Sequence, residues 1–182
     1  MGSSQDETHA AFFYGTLMAN EVFFTVCYRS SGKDVGLLRA MHTFQPAILP
    51  GYCRRRVKHA DYPGITEDPA HEVRGVYVTG LTEMNIFHLD MFEGYEYERK
   101  TVKVRLLSTV GDDKGKGNVE GKEVECQVYV FNDPSRLEDR EWDFQEFRTQ
   151  KMKNWTREDY GFADSDQFAP KEADDDEEAA AV

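Results

Sequence analysis

Residues 11–19 read Ala11-Phe12-Phe13-Tyr14-Gly15-Thr16-Leu17-Met18-Ala19. The apolar run that ends at Gly15 is typical of a short buried strand, and Asn20 is placed to cap a helix that extends to about Tyr28. Gly15 lets the backbone turn and lets a ligand approach it closely. The N–H groups of the loop and of the helix's first turn lack carbonyl partners, which suits a carboxylate or another anion. The pattern fits either an anion site or a plain strand-to-helix connection, and it contains neither G-x-G-x-x-G nor a Walker lysine.

A second motif, Asp90-Met91-Phe92-Glu93-Gly94, closes a helix that Thr82 is placed to cap. Glu93 is therefore expected at the carboxyl end of that helix, where the macrodipole disfavours a negative side chain. Apolar Phe92 and acidic Asp90 also favour the protonated form, so the motif predicts a raised pKa for Glu93. A glutamate tuned toward neutral pH suits a proton shuttle, and an ordinary surface glutamate before a helix-stopping glycine fits the same pattern.

Between these motifs the sequence predicts a β meander. Apolar and β-branched residues alternate over 41–79, and the turns are placed at Pro50-Gly51, Tyr62-Pro63-Gly64 and Asp68-Pro69. Two longer strands are expected around Lys100–Leu107 and Glu123–Phe131.

After the last strand, Asp133-Pro134 is placed to cap and start a helix. That helix is expected to bury a row of large apolar side chains rather than to bind a cofactor. The row comprises Leu137, Trp142, Phe144, Phe147, Met152 and Trp155.

Composition restricts the class of protein. The 182 residues, 40% of them hydrophobic, fit one domain, predicted over 11–160, followed by an acidic tail over 163–182 that is predicted to be disordered. A formal net charge of -12 argues against nucleic-acid binding, and no apolar stretch is long enough for a membrane span. Three cysteines without a C-x-x-C pair and scattered histidines indicate a reduced, cytoplasmic protein, with no metal or other cofactor expected.

One short basic run stands apart from this acidic composition. Arg54-Arg55-Arg56, with Lys58 close by, lies in sequence typical of a strand. A site for a polyanion is one interpretation. An exposed strand edge that carries charge is the favoured one, because charged side chains at an edge prevent pairing with another chain.

Six short motifs occur in order between about Ala11 and Trp155. They are Phe13-Tyr14-Gly15-Thr16-Leu17, Leu49-Pro50-Gly51-Tyr52, Tyr62-Pro63-Gly64-Ile65, Val73-Arg74-Gly75-Val76-Tyr77, Leu89-Asp90-Met91-Phe92-Glu93-Gly94 and Tyr97-Glu98-Arg99-Lys100-Thr101-Val102. The ordered set resembles the γ-glutamylcyclotransferase-like superfamily, in its AIG2-like branch. The resemblance implies an α+β fold, namely a compact mixed β barrel with flanking helices and a pocket at one end.

The resemblance also implies a reaction, in which a γ-glutamyl amine or peptide is cyclised to 5-oxoproline and the amine is released. It assigns the role of general acid/base to Glu93 and the lining of the pocket to Tyr97 and Tyr129. Binding of the small-molecule γ-glutamyl substrate falls to Tyr14, Gly15, Thr16, Leu17, Met18 and Ala19. A non-enzymatic binding or interaction module is the alternative, and a lyase or transferase for another carboxyl-bearing molecule is a third interpretation. The segment 29–40 and the acidic tail depart from the family pattern, so the identity of the substrate and of its leaving amine stays open. The sequence also leaves the oligomeric state open.

Overall fold

A computed structural model describes residues 7–29, 35–112 and 114–151 of the chain. The predicted acidic tail over 163–182 lies outside the described residues, as do the predicted end of the domain at 160 and the two helix positions Met152 and Trp155.

Six strands form one mixed sheet. They are β1 (His9–Phe13), β2 (Phe44–Val57), β3 (Pro63–Leu81), β4 (Tyr97–Thr109), β5 (Val119–Phe131) and β6 (Leu137–Glu141). The strand order is β3-β1-β5-β4-β2-β6, and an additional pairing between β2 and β3 closes the first five strands of this order into a ring. β1 runs parallel to β5, and the other neighbours are antiparallel. The predicted α+β fold class is confirmed.

Four helices accompany the sheet: α1 (Asn20–Tyr28), α2 (Val35–Ala40), α3 (Glu83–Glu93) and the single turn α4 (Phe144–Glu146). Shorter 3-10 turns lie at Thr16–Met18, Gly94–Glu96 and Pro134–Arg136, and a π turn lies at Phe147–Lys151. α1 and α3 pack together, and the side-chain amide of Asn85 and the ring of His88 both donate to the main-chain oxygen of Cys27, over 3.2 and 2.9 Å.

The limits of α3 follow the sequence prediction. Thr82 accepts a hydrogen bond from the N–H of Asn85, and the Asn85 side chain accepts one from the N–H of Thr82, so the two residues form a capping box. Gly94 ends the helix at a φ of 64°, which glycine adopts more readily than other residues. α1 also has its predicted extent, but the predicted cap at Asn20 is wrong, because α1 begins without a side-chain cap.

Side chains alternate along β1 and pack into two separate hydrophobic clusters. Phe12 packs with Leu49, Val104 and other residues of one cluster, whereas its neighbour Phe13 packs with Phe23 and the helices. Successive side chains of a strand point to opposite faces, so β1 serves both clusters at once. The loop that follows β1 therefore leaves the sheet between two packed cores.

The predicted meander over 41–79 is wrong in two of its three turns. β2 and β3 form one long antiparallel hairpin, whose reversal lies at 58–62, next to the predicted turn at Tyr62-Pro63-Gly64. Pro50-Gly51 produces only a shift of register before Tyr52, and Asp68-Pro69 lies inside β3. Cross-strand pairing over many residues outweighs these local turn signals, which coincide with a shift of register instead of a chain reversal.

The helix predicted after Asp133 is also wrong. Asp133 does cap a turn, since its carboxylate accepts from the N–H of Ser135, but the turn ends at Arg136. Leu137 then begins β6 and pairs with Val57 of β2. A neighbouring strand offers the backbone a ladder of partners, and this tertiary pairing overrides the local helix signal.

The arginine run does not lie on an exposed edge. β2 pairs with β3 along one side, and Arg55 lies opposite Glu141 of β6 on the other. The side chain of Arg54 is only 14% exposed. The favoured interpretation of a charged strand edge is therefore wrong, because two flanking strands cover this part of β2.

Among the described residues, no helix has the length and apolar character that crossing a membrane requires.

Candidate active site

A cavity of about 270 Å³ lies where the loop after β1, the end of α3 and the start of β3 meet. Cavities of this size accommodate one small molecule. The lining residues are Phe12, Phe13, Tyr14, Gly15, Thr16, Leu17, Tyr62, Pro63, Phe92, Glu93, Glu96, Tyr97 and Tyr129.

Free main-chain donors form one part of the cavity wall. Among the described residues, the N–H groups of Gly15, Thr16 and Leu17 have no hydrogen-bond partner. The next two N–H groups are occupied, because Met18 donates to the oxygen of Gly15 over 3.0 Å and Ala19 to the oxygen of Thr16 over 3.1 Å. The donor set is therefore shorter than the sequence predicted: Met18 and Ala19 do not line the cavity, and neither does any residue of α1.

Close packing holds this loop in place. A Cβ atom added to Gly15 would lie 2.8 Å from Cγ and 3.0 Å from Cδ of Pro63, which is closer than such atoms approach in proteins. Only glycine fits between the loop and the first residue of β3. The loop backbone is thus in contact with Pro63, itself a lining residue of the cavity.

Glu93 supplies the ionisable side chain of the site. It is the last residue of α3, partly buried, and it lines the cavity. Burial of the carboxyl, together with the smaller effect of the Asp90 charge, raises its pKa from the ordinary 4.5 to about 8. Among the described residues, none donates a hydrogen bond to this carboxyl. The predicted rise in pKa is confirmed, with burial as its main cause.

Asp90, one turn earlier on α3, has the opposite environment. Arg99 approaches it with Nε 3.1 Å from Oδ1 and Nη2 3.3 Å from Oδ2. The hydroxyl of Tyr129 donates to Oδ1 over 2.8 Å. Arg99 thus fixes Asp90 beside Glu93, and Asp90 in turn fixes the ring of Tyr129 at the cavity wall.

Two further lining tyrosines are fixed through main-chain acceptors. The hydroxyl of Tyr14 donates to the oxygen of Tyr129 over 2.5 Å, and that of Tyr97 donates to the oxygen of Pro63 over 2.7 Å. Burial raises the pKa of both tyrosines above the ordinary value of 10, so the rings stay neutral. Because both hydroxyls donate to main-chain oxygens, the two rings are held in place, which helps to position a ligand accurately.

Glu96 is the second carboxyl of the lining. It accepts from the hydroxyl of Tyr62 over 3.0 Å and pairs with Nη1 of Arg136 over 2.9 Å. Both of its oxygens are engaged, which distinguishes it from Glu93.

Most residues expected in the site do line the cavity: Glu93, Tyr14, Gly15, Thr16, Leu17, Tyr97 and Tyr129. The sequence interpretation missed Phe12, Phe13, Tyr62, Pro63, Phe92 and Glu96. Tyr62-Pro63 belongs to one of the six ordered motifs, but the sequence interpretation gave it no role in the pocket. The cavity role of Glu96 carries no sequence signal, because the turn after α3 places it.

No three acidic, histidine or cysteine side chains of the described ranges gather in a way that would hold a metal ion.

Solved structures share this architecture. A solution structure of an Arabidopsis thaliana protein is 28% identical with a TM-score of 0.54, and the match covers 85% of this chain and 81% of the other. A solved gamma-glutamyl cyclotransferase has a TM-score of 0.50 over 72% of this chain and 69% of its own, at 21% identity. The second likeness concerns the fold alone, so the structures place the chain among proteins of the gamma-glutamyl cyclotransferase fold.

Sequence relatives narrow the class to a family. Protein AIG2 C of Arabidopsis thaliana is 29% identical over 171 residues, which cover 88% of this chain and 91% of that protein. The family model for gamma-glutamyl cyclotransferase, AIG2-like, matches residues 11–149. The chain belongs to the AIG2-like gamma-glutamyl cyclotransferase family.

Proposed function

We propose that the protein is a γ-glutamylcyclotransferase, which cyclises the γ-glutamyl group of an amine or peptide to 5-oxoproline and releases the amine. The reaction needs a proton carrier and an anion-binding site within reach of one small substrate. One observation carries the proposal: Glu93 lines the same cavity as Gly15, Thr16 and Leu17, whose N–H groups have no hydrogen-bond partner among the described residues. Membership of the family supports the same reaction.

Glu93 begins the reaction as a carboxylate. It accepts one of the three protons of the substrate's α-ammonium, and the free amine attacks the γ-carbonyl carbon of the same molecule. The ring C–N bond forms while an electron pair moves onto the carbonyl oxygen. The free N–H groups of the loop are suited to hold this oxyanion. Because both reacting groups belong to one molecule, a folded substrate conformer lowers the barrier, and no covalent enzyme intermediate is needed.

Glu93 also balances the protons. When the bond to the departing amine breaks, that amine takes the proton held by Glu93. The ring nitrogen then gives up a second proton by the same route. The lactam nitrogen keeps one proton, the amine leaves as an ammonium ion, and Glu93 is again a carboxylate.

The raised pKa of Glu93 suits these proton transfers. A carboxyl pKa of about 8 lies closer to the pKa of an α-ammonium, which stays protonated at neutral pH, than the ordinary value of 4.5 does. Removal of the ammonium proton is then less unfavourable, and the carboxyl can still return that proton, as acid–base catalysis requires. At the ordinary pKa of 4.5, abstraction would be uphill by more than three units.

The test replaces the carboxyl by an amide of the same shape. Glu93→Gln is expected to lower the release of 5-oxoproline from a panel of γ-glutamyl amines, amino acids and dipeptides by about 10²–10⁴-fold. Glu98→Gln is the matched control, since Glu98 is an exposed residue of β4 outside the cavity lining. Circular dichroism of both variants checks the fold.

Near-normal turnover by a folded Glu93→Gln variant would remove Glu93 from the mechanism. Calorimetry with the same panel separates the alternative function: saturable binding to the wild-type protein without any 5-oxoproline would identify a binding module in place of an enzyme.

A further inference from the structure

Arg54 is a buried cation that the proposed reaction does not use. Its side chain is 14% exposed, yet it does not line the cavity. Removing a guanidinium from water is unfavourable unless its charge is compensated. Its acidic partner, Glu141, is 75% exposed and lies 3.5 Å away, so that pair compensates little.

The shortest hydrogen bond of Arg54 is to the loop that lines the cavity. Nη1 donates to the main-chain oxygen of Tyr14 over 2.8 Å and to that of Arg74 over 3.3 Å. The guanidinium carbon lies 5.5 Å from the ring centroid of Trp142, which covers the group. Among the described residues, Nε has no hydrogen-bond partner. The guanidinium therefore acts mainly on main-chain carbonyl groups.

The oxygen of Tyr14 belongs to the same peptide unit as the N–H of Gly15. The described chain has no cis peptide bonds, and in a trans peptide the C=O and N–H vectors point in opposite directions. A side chain that holds the oxygen from one side therefore sets the direction of the N–H on the other. That N–H is the first free donor of the cavity wall.

The contact also strengthens the donor. A positive charge on a carbonyl oxygen draws electrons from the peptide nitrogen, so the attached hydrogen becomes more positive. Burial keeps the local dielectric low, which increases the effect.

We propose that Arg54 is a positioning residue that orients and polarises the Tyr14–Gly15 peptide, so that the Gly15 N–H donates to an anionic oxygen in the cavity. This role rests on the proposed function for the identity of that anion. Its neighbours face elsewhere: Arg55 donates to the oxygen of Asp139 and Arg56 to that of Ala60, each over 2.7 Å.

The arginine run supplies its own control. Arg54→Met removes the charge with little loss of volume, Arg54→Lys keeps the charge, and Arg55→Met removes a charge of the same strand that does not contact Tyr14. In the ligand-free protein, the Gly15 amide nitrogen resonance is expected to move upfield in Arg54→Met, to move part of the way in Arg54→Lys and to stay in place in Arg55→Met.

Turnover gives the second readout. Arg54→Met is expected to lower kcat by about 10–10²-fold with little change in KM, since the donor remains but is misaligned at the oxyanion. Arg54→Lys is expected to recover most of the loss, whereas Arg55→Met keeps the wild-type kcat. If Arg54 were merely structural, Arg54→Met would lower the melting temperature, and it would not lower kcat selectively while KM stays unchanged.

An unmoved Gly15 resonance in a folded Arg54→Met variant would overturn the role of Arg54. If that variant does not fold, Arg54→Gln, which removes the same charge, decides: a wild-type resonance together with a wild-type kcat contradicts the proposal. Failure of the proposed function is recognised separately, because wild-type protein would then release no 5-oxoproline while the ligand-free resonance still reports on Arg54.

Discussion

The carboxyl of Glu93 and the N–H groups of Gly15, Thr16 and Leu17 belong to one cavity, but the fold prepares them in opposite ways. The pKa of Glu93 is raised by burial and by a nearby charge, and no described donor contacts its carboxyl. The position of the loop is instead set by direct contacts, because Pro63 packs against it and Arg54 donates to the main-chain oxygen of Tyr14. The acid can therefore be altered by replacing its own side chain, whereas the donors are main-chain groups and can be altered only through the packing and contacts that position them.

Among variants that keep the Glu93 carboxyl, the largest effect is expected on the donor side. Gly15→Ala brings a Cβ to 2.8 Å from Pro63, a rigid ring, so the loop must move and its N–H groups lose their alignment. Steady-state kinetics are expected to show a fall in kcat of about 10²–10³-fold. Gly36→Ala is the control, because the space around Gly36 is empty. Wild-type kinetics for Gly15→Ala would show that loop position does not matter.

The next test addresses the acid side through pH. A base with a pKa of about 8 must be deprotonated to act, so kcat/KM is expected to rise about tenfold per unit below that pH and then level off. Asp90→Asn removes the neighbouring charge that raises this pKa, so the rising limb is expected to move to lower pH. Asp139→Asn, a change of an exposed carboxyl outside the cavity, keeps the wild-type profile. A limb that stays in place, or moves upward, in Asp90→Asn contradicts the electrostatic coupling.

Stability provides a third comparison, independent of substrate. The pKa of Glu93 is higher in the folded than in the unfolded chain, so the folded state holds the extra proton and loses stability as pH rises from about 4.5 through about 8. In Glu93→Gln the side chain stays neutral at every pH, so this loss of stability does not occur. Its melting temperature is expected to exceed that of the wild type by on the order of 5 °C at pH 9, with a smaller difference at pH 5.

Thermal melts across this pH range make the measurement, and Glu98→Gln is expected to run parallel to the wild type. A gap between Glu93→Gln and the wild type that shrinks with rising pH would reverse the sign and exclude a raised pKa for Glu93.

The smallest effect is expected at the support of the acid side. Tyr129→Phe removes a hydroxyl that donates to Asp90, but Arg99 still holds the carboxylate. A loss in kcat/KM of about threefold is expected, near the value of one hydrogen bond. Tyr95→Phe is the control, as Tyr95 is 91% exposed. A loss as large as that of Glu93→Gln would instead place Tyr129 in the chemistry itself.

Local signals sufficed wherever the structure depends on near neighbours. Thr82 and Gly94 fix the two ends of α3 through a capping box and a positive φ, so the sequence placed Glu93 at a helix end. Those signals failed where a distant strand competes for the backbone. Pro50-Gly51 and Asp68-Pro69 lie inside long strands. Leu137 begins β6, which pairs with β2, and does not lie in a helix.

The sequence by itself determined the two motifs of the site, because a strand that ends in glycine and a capped helix that ends in Glu93 are local patterns. The fold class followed from the resemblance that the six ordered motifs carry. Only the tertiary structure decided which groups share a cavity. It left out Met18 and Ala19, whose N–H groups close a 3-10 turn, and it brought in Glu96. It also turned Arg54 inward beneath the loop. Contacts between β1, β2 and α3 join residues far apart in the chain, and no local pattern encodes such distances.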